Sequence, residues 1–379
     1  MANLAYQAVL FLVLVFLLRE VIRLNEASNT FPHSPPTAIF AFGDSLSDTG
    51  NAIQAFPFYA SSENSPYGST FFHAPTGRFS DGRLIIDFIA SKWGFPFIEP
   101  YFKDVFPNYK HGVNFAVAGA TVQNITEPIP FFLPMQTDHF VRFKRSVYAL
   151  LNTTSRYAAL HVPTKEAFRD GTYMIFIGIN DILSGLFDHD LAPSVVKEKT
   201  VPLVVAGISK AVQDLHKEEA KNFLIFNVPA VGCMPMVLAM ASQGPFNSTD
   251  KMGCLKEYNA VADFGNKELE KSLINIKKHE KDINVMVIAD LYSFYLDAIK
   301  SPASYGFKES EKLKACCGYG GDPFNYFPPI SCGKDPAAKT CSKPREYMSW
   351  DGIHFTDAFS QKFVEEIMEK MHYLKAIGA

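Results

Sequence analysis

The sequence predicts an α/β fold in which helices cover both faces of a central, mostly parallel β-sheet. Short apolar segments with the length of buried strands alternate with segments whose apolar residues recur at helical spacing. Parallel strands need crossover connections, which helices usually supply, so this alternation predicts three layers. The predicted strands are 38–42, 112–116, 173–179, 222–228 and 285–289, and the clearest predicted helices are 84–93, 195–215 and 255–276.

The length and composition allow one large domain or two of ordinary size. Of the 379 residues, 47% are hydrophobic and 20% are charged, which provides enough apolar sequence for an extensive core. No repeat, low-complexity tract or charge run divides the chain. The net charge of -3 gives no reason to expect nucleic acid as a partner. A single domain over residues 28–379 is the simplest assembly of the predicted elements, and we expect the protein to be a monomer.

The first predicted strand ends at a polar turn that contains a candidate nucleophile. The apolar run 38–42 is followed by Gly43, Asp44 and Ser45, and then by a turn with Asp48 and Asn51. Ligand sites in α/β proteins form at the carboxyl ends of strands, where a serine can present its hydroxyl to a substrate. Such polar residues are also common in turns and helix N-caps, and this segment alone does not decide between the two interpretations.

A second polar segment, near the other end of the chain, supplies the partners that a nucleophilic serine needs. A histidine must take the serine proton, and a carboxylate must orient that histidine. Asp351 and His354 offer both groups, and Gly352 between them allows a tight turn. Thr356 is a predicted N-cap of a helix that would hold this loop. The apolar residues on one face of that helix are Phe359, Phe363, Ile367 and Met371.

Several segments together resemble the plant GDSL esterases/lipases of the SGNH-hydrolase superfamily. The resemblance covers roughly residues 37–372 and implies a flavodoxin-like three-layer fold. Within the family, the chain looks nearest to secreted acetylesterases of specialised metabolism. By similarity, the four marker residues of the superfamily are Ser45, Gly119, Asn180 and His354. The matching segments are 40–51, 75–83, 114–121, 177–181, 316–318 and 351–354.

The marker residues also fit the chemistry of acyl transfer. When Ser45 attacks an ester carbonyl, negative charge develops on the carbonyl oxygen, and fixed donors must already point at it. The backbone N–H groups of Ser45 and Gly119 and the side-chain amide of Asn180 are the expected donors. Without the serine and histidine segments, Gly119 would be interpreted as a turn glycine and Asn180 as a helix-capping residue.

The N-terminus predicts export. Residues 8–18 form an apolar run that is too short to span a membrane but suits the core of a signal peptide. We expect residues 1–27 to be that peptide, although the cleavage point is not clear, and a signal anchor is the alternative. Three N-glycosylation acceptors, at Asn124, Asn152 and Asn247, fit a secreted protein. The expected location is the extracellular cell wall space, with the vacuole as an alternative.

The six cysteines also fit an oxidising compartment. No Cys-x-x-Cys pair occurs, and no histidine lies between the cysteines of the segment 316–341, so the spacing does not suit a zinc site. We expect no metal and no organic cofactor. The expected bridges join Cys233 to Cys254, and join Cys316 and Cys317 separately to Cys332 and Cys341 in an order that the sequence leaves open.

The sequence therefore predicts a secreted serine esterase that hydrolyses acetyl or other acyl esters of small metabolites or lipids. The expected catalytic residues are Ser45, Asp351 and His354. An acyltransferase that passes the same acyl group to an alcohol remains an alternative, and so does a catalytically silent wall or defence protein that binds a ligand or partner. Aromatic residues near the predicted nucleophile and after the Gly119 segment are candidates for a substrate pocket: Phe56, Phe58, Tyr59, Phe71, Phe72, Phe131 and Phe132.

Overall fold

A computed structural model describes residues 35–56, 60–124, 130–153 and 159–378. The predicted signal peptide, residues 1–27, lies outside the described residues, as do Phe58 and Tyr59. The strands of the described chain are β1 (Ile39–Gly43), β2 (Gly112–Asn114), β3 (Thr172–Phe176), β4 (Asn222–Phe226), β5 (Val285–Ala289), β6 (Cys317–Gly318), β7 (Lys339–Thr340) and β8 (Leu374–Ala376).

Six of these strands form one sheet in the order β2-β1-β3-β4-β5-β8. The first five strands pair in parallel, and β8 joins the edge antiparallel to β5. Strands β6 and β7 form a separate antiparallel ribbon. The central, mostly parallel sheet expected from the sequence is confirmed, with the addition of the short antiparallel edge strand.

The α-helices lie in the connections between the strands. They are α1 (Asn51–Ala55), α2 (Ile85–Lys92), α3 (Leu133–Leu151), α4 (Lys165–Asp170), α5 (Ile179–Leu183), α6 (Pro193–Val195), α7 (Val201–Lys217), α8 (Pro235–Ala241), α9 (Lys256–His279), α10 (Leu291–Lys300) and α11 (Asp357–Met368). A π-helical turn, Val196–Thr200, links α6 to α7, so the helix predicted over 195–215 forms in two parts. Helix α11 ends before Met371, which the sequence pattern had placed on it.

The two faces of the sheet bury separate hydrophobic clusters, which gives the predicted three layers. Along β1, Ile39 and Ala41 pack on one face, and Phe40 and Phe42 pack on the other. Helices α2, α10 and α11 cover the first face, whereas α3 and α7 cover the second. Strands covered on both sides place apolar residues on both faces, which explains why β1, β3, β4 and β5 appear in the sequence as mostly apolar runs.

Three disulfide bonds lie among the described residues. Cys233 pairs with Cys254, as expected. The other two bridges, whose order the sequence left open, join Cys316 to Cys341 and Cys317 to Cys332. Within the part of the chain that the structure describes, no helix has the length and apolar character needed to cross a membrane.

Candidate active site

Ser45, His354 and Asp351 lie in one hydrogen-bonded chain. Ser45 follows the end of β1, and His354 and Asp351 lie in the loop before α11. The Ser45 Oγ is 2.8 Å from His354 Nε2, and His354 Nδ1 is 2.7 Å from Asp351 Oδ2. Serine and histidine are both only 7% exposed, so the pair is shielded from bulk water yet reachable from a cleft. This is the order of groups needed to move a proton from a serine.

The carboxylate of Asp351 is fully hydrogen-bonded. Its Oδ1 accepts the backbone N–H groups of Ile353 at 3.0 Å and His354 at 2.9 Å. Its Oδ2 accepts the Tyr67 hydroxyl at 2.7 Å in addition to His354 Nδ1. Burial alone raises the pKa of Asp351, but the charge of His354 and the hydrogen bonds from His354 and Tyr67 outweigh it and lower the pKa to about 2. The group is therefore ionised at any physiological pH.

The strand end that carries Ser45 is fixed by a long-range pair of hydrogen bonds. The Gly43 N–H donates to Gln136 Oε1, and Gln136 Nε2 donates to the Gly43 carbonyl, each at 2.8 Å. A Cβ at position 43 would lie 2.4 Å from the Phe176 carbonyl oxygen, so only glycine fits beside β3 at this point. The backbone ahead of the nucleophile is thus held on two sides.

Asp44, next to the nucleophile, is completely buried. Its Oδ1 accepts the Leu46 N–H at 3.0 Å, whereas its Oδ2 has no hydrogen-bond partner within the described chain. Burial raises the pKa of Asp44 to about 7, although the Leu46 hydrogen bond and the charge of His354 act in the opposite direction. This carboxyl group titrates near neutral pH.

The two other predicted oxyanion-hole residues border the same cleft as Ser45. Gly119 follows β2 and has φ +80, a backbone conformation that favours glycine. Asn180 lies in the first turn of α5, and its Nδ2 donates to the Ala120 carbonyl at 2.9 Å. An amide nitrogen carries two hydrogens, so this bond orients the side chain and leaves a second donor. Gly119 and Asn180 both line the cleft with Ser45 and His354.

Two buried carboxylates hold the loop that contains Gly119. Asp48 Oδ2 accepts the Ala118 N–H at 2.8 Å. On the other side of the glycine, Asp181 accepts the N–H groups of Val122 and Gln123 at 2.9–3.2 Å. Burial raises the pKa of both Asp48 and Asp181 to about 6, against the hydrogen bonds that lower it. The Gly119 loop is therefore anchored at both ends by side chains from neighbouring elements.

Asp48 also has the role that its position in the turn predicts. Its Oδ1 accepts the N–H groups of Gly50 at 2.7 Å and Asn51 at 2.6 Å, and its Oδ2 accepts that of Ala52 at 3.0 Å. It therefore satisfies the free donors at the start of α1. The capping interpretation of this residue and the functional interpretation of its neighbour Ser45 are both compatible with the structure.

The cleft beside Ser45 has a volume of about 440 Å³ and mostly apolar walls. Of the predicted aromatic residues that the structure describes, Phe56 alone lines it. Phe71 and Phe72 instead pack against each other and against arginine side chains, and Phe131 packs behind Phe56. The lining residues that the sequence did not indicate include Phe79, Leu183, Phe187, Met236, Lys334 and Ile353.

The disulfide-bonded segment 316–341 contacts Trp350 and Tyr67, which both adjoin Asp351. Cys317 donates its N–H to the Trp350 carbonyl at 2.6 Å, directly ahead of Asp351. Gly333, which follows Cys332, lies so close to Tyr67 that a Cβ would be 2.9 Å from the ring. The bridge between Cys317 and Cys332 thus ties together two elements that surround Asp351.

The predicted glycosylation sites are not among the described residues that line the cleft. The side chains of Asn124, Asn152 and Asn247 are exposed.

A cluster of His216, Glu280 and Asp282 brings metal-ligand atoms within 4.8 Å of one another. This cluster precedes β4 and β5, at the opposite end of the strands from Ser45, and His216 Nε2 is within hydrogen-bond distance of Asp282 Oδ1, at 3.0 Å.

Comparison with known proteins identifies the family. The model of the GDSL-like lipase/acylhydrolase family matches residues 39–367. A GDSL esterase/lipase of Arabidopsis thaliana is 34% identical over 373 residues, which cover 98% of this chain and 96% of that protein. An esterase of Hevea brasiliensis is 36% identical over 346 residues, or 87% of this chain and 84% of that protein.

A third relative, a GDSL esterase/lipase of Medicago truncatula, is 32% identical over 345 residues, covering 87% of this chain and 85% of that protein. Among solved structures, a single-substitution variant of an acetyl xylan esterase from Geobacillus stearothermophilus aligns with a TM-score of 0.32 at 15% identity, over 71% of this chain and 82% of that chain. That likeness is too slight to add to the assignment. On the family match and the sequence relatives, the chain belongs to the GDSL lipase/acylhydrolase family and is a carboxylic ester hydrolase.

Proposed function

We propose that this ester hydrolase acts through an acyl-serine intermediate formed on Ser45. The observation that carries the proposal is the unbroken chain from Ser45 Oγ through His354 to the Asp351 carboxylate, with contacts of 2.8 and 2.7 Å. As Oγ attacks the ester carbonyl carbon, its proton moves to His354 Nε2, and the carbonyl π electrons move onto the oxygen. Asp351, ionised and buried, orients the ring and balances the charge that forms on it.

The negative carbonyl oxygen would be bound by the N–H groups of Ser45 and Gly119 and by Asn180 Nδ2. When the tetrahedral intermediate collapses, the ester C–O bond breaks and Nε2 returns its proton to the leaving alkoxide, which departs as the alcohol. Water then attacks the acyl group with the same nitrogen as base, and the carboxylic acid is released. Each donor of this kind contributes about 10²- to 10³-fold to the rate.

The cleft supports small esters as substrates. Its volume of about 440 Å³ falls in the range of about 300–1,000 Å³ that is typical of small-molecule sites. Its apolar walls suit an acyl chain or an aromatic group, and the polar side chains of Ser61, Ser184 and Asp188 suit hydroxyl groups. We propose acetyl or other acyl esters of small metabolites or lipids, with acetate esters the first to test.

We further propose that the protein is secreted as a monomer, with residues 1–27 removed as a signal peptide and 28–379 as the mature domain. The three disulfide bonds support an oxidising compartment, and the exposed side chains of Asn124, Asn152 and Asn247 are accessible for glycosylation. The cell wall space is the expected destination, with the vacuole as the alternative. N-terminal sequencing and glycopeptide mapping of protein recovered from the medium of expressing cells test this proposal.

The mechanism is tested by steady-state and burst kinetics with a chromogenic ester series from acetate to octanoate. We expect turnover in the native protein and none in Ser45→Ala. Product analysis with an added alcohol separates hydrolysis from transfer, since a transferase would give the new ester in place of the acid. A folded, disulfide-intact protein that turns over no ester in the series would favour the silent binding protein.

A further inference from the structure

Among the described residues, Tyr67 is the one outside the predicted constellation whose side chain donates a hydrogen bond to the Asp351 carboxylate. It lies 284 residues away in the chain, and its hydroxyl donates to Asp351 Oδ2 at 2.7 Å. The same oxygen faces His354 Nδ1 at 2.7 Å. The phenol and the imidazole therefore bind one carboxylate oxygen from two directions.

This contact completes the coordination of a buried charge. A carboxylate has about four lone-pair positions, and those of Asp351 are occupied by two backbone N–H groups, His354 Nδ1 and the Tyr67 hydroxyl. A carboxylate with every position filled cannot rotate to seek another donor. Asp351 Oδ2 is thus held in position for its hydrogen bond with His354 Nδ1.

Tyr67 is itself rigidly placed. It is 2% exposed, and its ring meets Trp350 and Phe79 edge to face at centroid distances of 5.8 and 6.0 Å. Gly333 packs against a third side of the ring. Phe79 in turn lies 4.8 Å from the His354 ring, so the aromatic group that holds Tyr67 also borders the base.

The burial of Asp351 and Tyr67 also affects their ionisation. Burial raises the pKa of Tyr67 well above its usual value, and the negative charge of Asp351 raises it further. The phenol therefore keeps its proton at any pH at which the enzyme works, and it acts only as a donor toward the carboxylate.

We propose that Tyr67 is a positioning residue for catalysis, whose hydroxyl holds the Asp351 carboxylate in the orientation that His354 requires. This inference rests on the proposed acyl-serine mechanism and adds one side chain to those of Ser45, His354, Asp351 and Asn180. Tyr67 acts through Asp351 and does not itself touch the reacting atoms.

The test is a double-mutant cycle of Tyr67→Phe and Asp351→Asn. The phenylalanine variant keeps the ring and its packing but removes the hydroxyl. We expect it to lower kcat about tenfold, with KM changed less than twofold and an unaltered far-UV spectrum. If the hydroxyl acts through the carboxylate, adding Tyr67→Phe to Asp351→Asn should change kcat less than twofold further.

A neighbouring tyrosine provides the matched control. Tyr326 packs against Gly352 in the same loop, and within the described residues its hydroxyl makes no hydrogen bond to Asp351. Tyr326→Phe should therefore leave kcat within twofold of the wild-type value. A Tyr67→Phe variant with wild-type kcat, or one that loses the same tenfold in the Asp351→Asn background, would overturn the proposal.

The Ser45→Ala variant distinguishes an error in the role of Tyr67 from an error in the acyl-serine mechanism. If Ser45→Ala abolishes turnover and Tyr67→Phe does not lower it, only the role of Tyr67 is wrong. If turnover survives in Ser45→Ala, the acyl-serine mechanism and the role of Tyr67 are both wrong. If Tyr67→Phe is unstable at assay temperature, the rate of fluorophosphonate labelling at Ser45, measured below its unfolding temperature, gives the same comparison.

Discussion

Asp48→Asn tests the idea that a buried carboxylate holds the Gly119 loop in place for catalysis. The carboxylate accepts four backbone N–H groups, three at the start of α1 and one from Ala118. Asparagine has the same shape but only one oxygen. If that oxygen replaces Oδ1, the new NH₂ group faces the N–H groups of Ala52 and Ala118, which are both donors.

The expected cost follows from these contacts. Each buried donor left without an acceptor costs about 1–3 kcal/mol, which gives about 2–6 kcal/mol for the two N–H groups. Replacing a buried charge by a neutral amide offsets part of this, so we expect a loss of about 2–4 kcal/mol in the free energy of unfolding. Because Ala118 precedes Gly119, the loop should shift, and kcat should fall about 10- to 100-fold.

The assay combines kcat and KM for an acetate ester at pH 8 with denaturant unfolding of the same samples. Asp290→Asn is the matched control, because Asp290 is also a buried N-cap, accepting the Ser293 N–H at the start of α10, and it does not line the cleft. The control should lose stability and keep its kcat. If Asp48→Asn and Asp290→Asn lose equal stability and Asp48→Asn keeps the wild-type kcat, the role of the Asp48 carboxylate in the Gly119 loop is refuted.

Three further predictions concern the oxyanion donor, the buried acid and a disulfide. Asn180→Ala should lower kcat about 10²- to 10³-fold with little change in KM, and a pure KM effect would instead make Asn180 a substrate-binding residue. The pKa of Asp44 is raised from 3.8 to about 7, so its stabilisation is complete below about pH 4 and is lost as the pH rises through 7. The difference in unfolding free energy between wild type and Asp44→Asn should therefore change by about 4 kcal/mol between pH 4 and pH 8, and a pH-independent difference would contradict the shift. Removing the bridge with the double substitution Cys317→Ser and Cys332→Ser should lower the melting temperature. It should also lower kcat, measured about 20 °C below the melting temperature of the variant. A loss of stability with an unchanged kcat would mean that the bridge does not hold the Asp351 loop.

Strands that are buried on both faces were predictable because burial favours apolar residues on both faces. The runs that became β1, β3, β4 and β5 show this directly, although the structure ends β2, β3 and β4 earlier than the predicted strands. Beyond these ends the chain leaves the sheet to form the loops of the cleft. The edge strand β8 was missed because it has only three residues, of which Lys375 is polar and half-buried, and its pairing with β5 is antiparallel.

Some residues of the candidate site could likewise be predicted from the sequence, and others could not. Ser45, Asp351 and His354 could be found because the chemistry of acyl transfer and the family resemblance both single them out. Tyr67 could not, because a tyrosine in a Pro-Tyr-Gly turn resembles any packed aromatic residue until the fold brings it to Asp351. The sequence also could not tell which aromatic candidates line the cleft: Phe56 does, whereas the Phe71 ring packs on Arg83.

The most direct measurement of the central claim is labelling of the purified, disulfide-intact protein with a serine-reactive fluorophosphonate. The adduct is mapped by mass spectrometry, beside a Ser45→Ala variant of equal stability. An activated serine predicts a single adduct on Ser45 that is absent from the variant and forms more slowly in Asp351→Asn. A folded wild-type protein that takes up no label, or takes it up equally in the Ser45→Ala variant, would contradict the acyl-serine mechanism.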